Sequence, residues 1–366
     1  MNRSNMKVAL VHDYLREYGG AERVLEKLHK MFPEAPVYVA FVDKQALGKH
    51  WTRFSSWDIR ETWATKIPFI KKLFSPLRVF ASNFFRSLDL FAYDVVISSS
   101  NMYMAKAVRM RPDAMHLCYC HTPPRSLYGY TTKSNWKEKK WMHVLGEIAN
   151  HFLRIVDYYS AQNPTVMIAN SQEVQKRIQK FYRRDSVVIY PPISSLDVDQ
   201  KREDYYLFVG RVVYSKHPNL VIDACTQLRV KLKVVGIGES VEELKARAGK
   251  TVSFLGAVSD LELAKLYAGA RAVIYPAEDE DFGMIPIEAM MYGTPAIVHR
   301  SGGFLETVVE GENGLFVDDF KTQSMIDAIQ ESQNIQWDHE KIKKMAQKYS
   351  EERFEREIRD IIQQSP

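Results

Sequence analysis

A chain of 366 residues, 46% hydrophobic and 26% charged, has material for two domains of ordinary size with sizeable cores, and is neither a disordered nor a fibrous composition. No apolar run reaches the roughly 20 residues that cross a bilayer, the start MNRSNMKVALVHDYL turns polar too early for a secretory signal, and Cys118, Cys120 and Cys225 are an odd set without a further Cys/His pair to complete a zinc site, so a reducing cytoplasm is expected. The net charge of +5 conceals +13 up to Tyr190 and −8 beyond it, so the two halves are expected to face different partners.

Lys7 to Val11 reads as a buried parallel strand, short and apolar. Gly19-Gly20 follows, opening an amphipathic helix with Val24, Leu25, Leu28 and Met31 on one side. Such a pair serves as a plain turn, or lets backbone N–H groups approach a diphosphate at the positive helix end. Ala35 to Phe41 gives a second strand. Beyond it Lys66, Lys71, Lys72, Arg78 and Arg86 alternate with Phe69, Phe74, Phe80, Phe84 and Phe85, with no acidic residue from Lys66 to Leu88. This segment either lies on anionic lipid headgroups or is a helix that buries its phenylalanines and leaves its lysines wet. No nucleic-acid motif accompanies the charge. Asp94 to Ser99 and Met115 to Cys120 are further strands, the latter delivering His121 and a proline-stiffened loop to the mouth of a parallel sheet. There a histidine is either structural or a ligand contact. Trp136 to Tyr159 reads as helical, Val166 to Ser171 as a strand before a helix carrying Val174, Ile178 and Phe181, and Val187 to Tyr190 as the end of a first domain, 1–190.

Residues 191–204, proline-rich and then polar, read as a linker. The second domain, 205–345, opens with Tyr205 to Gly210 and delivers Arg211 and Lys216, either solvated charge or a clamp for a diphosphate. Leu232 to Val235 and Val252 to Gly256 are strands, the latter leading to Ala257, Val258 and Ser259. Arg271 to Tyr275 leads into an acidic loop with Glu280, then Phe282-Gly283, then a helix whose start is marked by Pro286 and whose end is marked by Gly293. Glu288, placed in the first turn of that helix among Ile285, Ile287, Ala289, Met290 and Met291, needs a polar partner, and a ligand hydroxyl is a reasonable one. Ser301-Gly302-Gly303 is a second candidate anion cradle. Strands alternating with helices on both sides of the linker imply two doubly wound parallel sheets, an α/β fold.

The string E-D-F-G-M-I-P-I-E from Glu280 to Glu288 resembles the E-x7-E signature of retaining glycosyltransferases of the GT-B fold, glycosyltransferase family four. G-R-x4-K at Arg211/Lys216, Gly-Gly-Ala-Glu from Gly19, and Y-C-H-T-P-P-R around His121 resemble its other motifs, the last resembling a mannosyltransferase-like subgroup of bacterial surface polysaccharide assembly. The resemblance spans essentially the whole chain. It implies two Rossmann-like domains facing across a cleft, with 1–190 binding acceptor, 205–345 binding the nucleotide sugar, and 346–366 returning to the first domain. It further implies that Arg211 and Lys216 hold the donor diphosphate with help from Gly19 and Gly20. Glu288 would hold the ribose, Glu280 the sugar near its 3- and 4-hydroxyls, and His121 its 6-hydroxyl. Ala257, Val258, Phe282 and Gly283 would complete the donor site, with Arg125 and Tyr128 toward the acceptor. No side chain among these is an obvious nucleophile, which suits a front-face mechanism without a metal or cofactor. The implied partners are a nucleotide sugar, GDP-mannose first and a UDP-hexose second, and a glycan or polyprenyl-diphosphate-linked acceptor at the inner face of the membrane. Two other readings of the same residues are a glycoside hydrolase using Glu280 and Glu288 and a sugar-nucleotide-binding protein without turnover.

Overall fold

Along Val8–His12 (β1) every residue is buried. Val8 and Leu10 pack into one apolar cluster, Ala9 and Val11 into another, as expected where a parallel strand is covered on both faces. The computed structural model describes residues 6–71, 77–102, 104–130 and 140–364. They divide into two compact units: the chain up to Pro192 together with the residues from Phe354 on, and Ile193–Arg353.

The first unit adds to β1 the strands Val37–Val39 (β2), Ile59–Glu61 (β3), Val95–Ser100 (β4), Met115–Cys120 (β5), Val166–Ala169 (β6) and Val187–Val188 (β7). Their order is β3-β2-β1-β4-β5-β6-β7, every pair parallel. The second unit has Tyr206–Val209 (β8), Leu232–Val235 (β9), Val252–Gly256 (β10), Ala272–Tyr275 (β11), Ala296–His299 (β12) and Gly314–Val317 (β13), ordered β10-β9-β8-β11-β12-β13 and again all parallel. Both are doubly wound sheets. The strand order reverses at β1/β4 in one and at β8/β11 in the other, and loops at the carboxyl ends of such strands form the ligand crevice of open α/β sheets.

The edge strand β3 was not expected, since Ile59 is its one apolar residue and Arg60 and Glu61 are exposed. The helix expected from Trp136 is observed as Lys140–Ser160, Trp136 itself lying outside the described residues. The terminal helical region is two helices, His339–Ala346 and Glu351–Gln364, with a short 3-10 turn at Gln347–Tyr349 between them. Of the basic aromatic segment, Phe84 and Phe85 are fully buried, as a core-packed helix requires, while Phe69 and Phe80 are 74% and 46% exposed. Lys72 and Phe74 lie outside the described residues.

Phe354 and Ile358 are fully buried and join the cluster of Val8, Leu10, Val24 and Leu28. Lys27 and Glu355 pair at 3.4 Å beside them. Each buried side chain contributes roughly 1.5–3 kcal/mol, so the terminal segment is part of the first unit's core. Phe354→Ala should therefore destabilise that unit by about 3–5 kcal/mol. Urea unfolding followed by fluorescence checks this, and an unchanged midpoint would refute it.

Candidate functional site

In the second unit β8 ends at Val209, and Gly210, at φ +135°, turns the chain out toward an exposed Arg211. A short 3-10 turn, Tyr214–Lys216, then brings Lys216 back inward. Its Nζ pairs with Glu280 Oε1, with the two side chains only 11% and 16% exposed. Tyr275 OH donates to the same carboxylate oxygen at 3.2 Å, and the ammonium lies 5.5 Å from the Tyr275 ring centroid. Lys216 and Glu280, 64 positions apart, thus meet beside the β8/β11 reversal.

Backbone contacts hold these loops. A Cβ on Gly236 would stand 1.8 Å from the carbonyl oxygen of Gly210, so only glycine lets the loop after β9 lie against the one bearing Arg211. Gly302 and Gly303 do the same for the acidic loop: a Cβ there would meet Glu280 O at 2.3 Å and Phe282 Cα at 2.4 Å. Gly303 N–H donates to Glu280 O at 2.9 Å. The Ser301-Gly302-Gly303 loop thus buttresses Glu280, and of this candidate anion cradle the Gly303 amide is already used.

The helix after Phe282-Gly283 is Met284–Met291, two residues longer at its start than Pro286 suggested, so Glu288 lies in its second turn rather than its first. Gly293, at φ +71°, ends it as expected. Glu288 is buried and accepts from Tyr267 OH at 2.7 Å, a protein partner for one carboxylate oxygen. Arg202, in the stretch read as a linker, donates to Tyr292 O at 3.1 Å and Gly293 O at 2.7 Å. A cation at a helix's carbonyl end opposes its dipole, so Arg202 pins the end of the Glu288 helix. Phe282 is buried against Tyr349, ring centroids 5.5 Å apart. Ala257 is exposed, Val258 half-buried, and Ser259 caps the helix Asp260–Gly269 through Glu262 N–H at 3.2 Å.

In the first unit Gly19 caps the helix Gly20–Met31, whose first-turn amides lack intrahelical acceptors. Glu22 reaches back to Gly19 N–H at 2.8 Å and to His12 Nε2 at 3.4 Å. His12 Nδ1 lies 3.0 Å from Ser99 Oγ, and Ser99 Oγ lies 2.8 Å from His121 Nε2. All four side chains are buried. Asp13 accepts the amides of Asn101, Met102 and Ala105 at 2.7, 2.6 and 2.9 Å, fixing the loop after β4. The loop after His121 is tied from beneath. Tyr128 OH donates to Asp157 at 2.9 Å, and Asp157 also binds Lys106 Nζ at 2.6 Å, both of that pair being buried. Burial alone would lower the Lys106 pKa, but the Asp157 charge overrides it and raises it. Tyr128, expected toward the acceptor, thus has its hydroxyl committed to the core, while Arg125 is half-buried on the short helix Arg125–Tyr128.

Residues 18–195 match the model described as Glycosyltransferase Family 4, and residues 197–351 that described as Glycosyl transferases group 1. The chain belongs to this glycosyltransferase family. An uncharacterised glycosyltransferase of Methanocaldococcus jannaschii is 27% identical over 166 residues, 44% of this chain and 47% of that one. A D-inositol 3-phosphate glycosyltransferase of Corynebacterium glutamicum is 28% identical over 213 residues, 48% of this chain and 50% of that one. The match therefore spans about half the length of these curated relatives. Among solved structures, Anabaena HepE in complex with UDP has a TM-score of 0.70 at 19% identity, covering 98% of this chain and 100% of that one. The lipopolysaccharide outer core galactosyltransferase WaaB has a TM-score of 0.69 at 17% identity, covering 98% and 99%. The fold is therefore GT-B.

Of the residues expected to act, this family member brings Lys216 and Glu280 into contact, places Arg211 on the same loop as Lys216, and gives Glu288 a separate partner in Tyr267. Its first unit joins His121 to the Gly19 loop through Glu22, the last residue of the Gly-Gly-Ala-Glu string, and through His12 and Ser99, two residues the motifs did not single out. The available signal was a buried His-Asp pair at the end of β1 and a serine run at the end of β4. Burial, and for His121 also the nearby His12, pushes His121 and His116 down to about 3 from 6.5. The folded chain keeps both neutral, whereas the unfolded chain protonates them below about pH 6.5. Folding is thus unaffected by them above that pH and weakens as pH falls from 6.5 toward 3, by up to ~1.4 kcal/mol per pH unit for each histidine. Urea midpoints measured across this range check the sign, and His116→Gln should shallow the slope.

Proposed function

We propose that the chain transfers a hexose from a nucleotide diphosphate sugar to a hydroxyl of a glycan or polyprenyl-diphosphate-linked acceptor, with retention and without a metal. The observation that carries this reading is the meeting of Lys216 with Glu280 beside the Arg211 loop, at the reversal point of a doubly wound sheet. An ammonium has three donors, so Lys216 can hold Glu280 and phosphate oxygens together. Arg211 adds a planar fork suited to phosphate. Together they supply fixed positive charge where the departing diphosphate becomes more negative, assisted by the amide of Gly20. Glu288 holds the ribose hydroxyls, Glu280 orients the sugar near its 3- and 4-hydroxyls, and His121 contacts its 6-hydroxyl. Ala257 and Val258 line the base, with Phe282 and Gly283 shaping the turn between the two glutamates. The leaving phosphate takes the acceptor proton, which accounts for retention without a protein nucleophile. A hydrolase using Glu280 and Glu288 would leave Arg211 and Lys216 without a role.

GDP-mannose is the donor suggested by the motif around His121. A UDP-hexose is the second reading, favoured by the solved complexes of HepE with UDP and UDP-glucose. Calorimetric titration with GDP, UDP and ADP in the presence of EDTA separates them. Tight binding of one nucleotide is expected, and binding of none would turn the assignment toward a hydrolase or a non-catalytic protein. Arg211→Ala should lower turnover by about 10²–10³-fold in a folded protein. Wild-type turnover in that variant would remove Arg211 from the diphosphate site.

We further propose peripheral docking of the first unit on anionic lipid. Exposed Phe69, Val79 and Phe80 lie in the acid-free segment with exposed Lys66 and Lys71. The helix Lys140–Ser160 exposes Ile148, Phe152, Ile155 and Tyr159, spaced to share one face. Among the described residues no helix is long and apolar enough to cross a membrane. Phe69→Glu with Lys71→Glu should weaken sedimentation with phosphatidylglycerol vesicles several-fold, at roughly 1 kcal/mol per cation removed from the surface. Unchanged sedimentation would exclude this segment as the docking surface.

A further inference from the structure

We propose that Glu22, His12 and Ser99 form a directional hydrogen-bonded chain that fixes the tautomer of His121, so that His121 Nδ1 accepts a hydrogen bond from a hydroxyl of the donor sugar. The assignment of a sugar to His121 rests on the function proposed above; the chain of hydrogen bonds does not.

Sheet topology assembles the chain. β1, β4 and β5 are neighbours, and their register pairs His12 with Ser99 and Ser99 with Tyr119. Ser99, Tyr119 and His121 alternate onto one face of the sheet. That puts the Ser99 hydroxyl between the two imidazoles, 3.0 Å from His12 Nδ1 and 2.8 Å from His121 Nε2. Glu22 closes the far end, 3.4 Å from His12 Nε2, and its other oxygen holds Gly19 N–H at 2.8 Å.

Donor and acceptor capacity then sets the direction. A carboxylate only accepts, so His12 donates from Nε2 to Glu22, and a neutral His12 presents Nδ1 as an acceptor. Ser99 has one proton and gives it to His12 Nδ1. The serine oxygen is then the acceptor facing His121, whose Nε2 must carry the proton. A neutral imidazole has one N–H, so Nδ1 of His121 is left as a bare lone pair. Burial holds His121 neutral at physiological pH. Among the described residues Nδ1 of His121 has no hydrogen-bond partner, and it is not one of the fully sealed, unpartnered polar atoms, so it is the acceptor this chain of bonds leaves for a ligand hydroxyl. The consequence is selective: a hydroxyl that donates is accepted, whereas a deoxy or fluoro sugar leaves a polar nitrogen unpaired. The chain also couples the Gly19 loop to His121, because the same Glu22 carboxylate holds Gly19 N–H and the His12 end of the chain.

The test is a long-range proton–nitrogen correlation spectrum of the full-length protein labelled with ¹⁵N-histidine, at neutral pH and without substrate, with His121→Gln used to assign the signal. The expected result is one tautomer for His121, protonated at Nε2. In Glu22→Gln the amide can donate or accept, so it no longer imposes a direction. Ser99→Ala breaks the chain outright. Both variants should shift His121 toward a mixture of tautomers, although Glu22 does not touch it. A wild-type signal protonated at Nδ1, or a pattern unchanged in both folded variants, overturns the proposal. With UDP-glucose and GDP-mannose as donors, both variants should raise KM by about tenfold with a smaller effect on kcat, and the matching 6-deoxy-6-fluoro donors should no longer distinguish wild type from Ser99→Ala. The expected tautomer pattern with no transfer from either sugar nucleotide would overturn the sugar assignment and leave the relay standing, so the two failures are separable.

Discussion

Parallel pairing in the first sheet, with His12 level with Ser99, is the constraint on which the rest of that unit's site depends. The strands around the reversal point deliver His12, Asp13, Ser99 and His121 into positions shielded from water. A buried polar group left unpaired costs about 1–3 kcal/mol, and four of them would consume much of a domain's stability. They are satisfied by one another and by local backbone: Asp13 by three amides of the loop after β4, His12 and His121 through Ser99. Each bond satisfies a core group and at the same time fixes a loop. The Lys106–Asp157–Tyr128 cluster applies the same principle beneath the His121 loop. The loops after β4 and β5 are thereby attached to the core by bonds whose loss would be costly.

The residues that make the fold were largely legible because buried parallel strands read as continuous apolar runs. Met115–Cys120, Leu232–Val235 and Val252–Gly256 are observed with the bounds their sequences suggested. β3 escaped because an edge strand with one apolar residue carries no such run. In the site, motifs marked Lys216 and Glu280, whose contact is observed, but they did not reveal Glu288's partner or the relay behind His121. Tyr267 and Glu288 are 21 positions apart, and His12 and Ser99 are 87 apart. Such pairs are created by strand order and register, which no local pattern encodes. Tyr128, which the resemblance places toward the acceptor, gives its hydroxyl to Asp157 in the core, a partner that no local pattern announced. Ser301-Gly302-Gly303 looked like an anion nest, yet its glycines are required by the approach of the 280–282 backbone.

The second unit meets the problem of buried charge in a different way. Removing an ammonium and a carboxylate from water costs several kcal/mol per ion, and their attraction offsets this only when further hydrogen bonds are made. Lys216 and Glu280 are mostly but not fully buried, and Tyr275 supplies an added donor to the carboxylate and an aromatic face to the ammonium. This arrangement keeps both charges in place without locking them into a fully desolvated pair. An anion approaching Lys216 would draw on donors that the carboxylate does not use and weaken the Lys216–Glu280 attraction. Glu280 would then be a better acceptor for hydroxyl donors just as its neighbour takes up negative charge. Close backbone approach at Gly236, Gly302 and Gly303 holds the loops that carry the pair, so under the proposed function donor diphosphate and donor sugar would be recognised by one coupled pair rather than by two independent contacts.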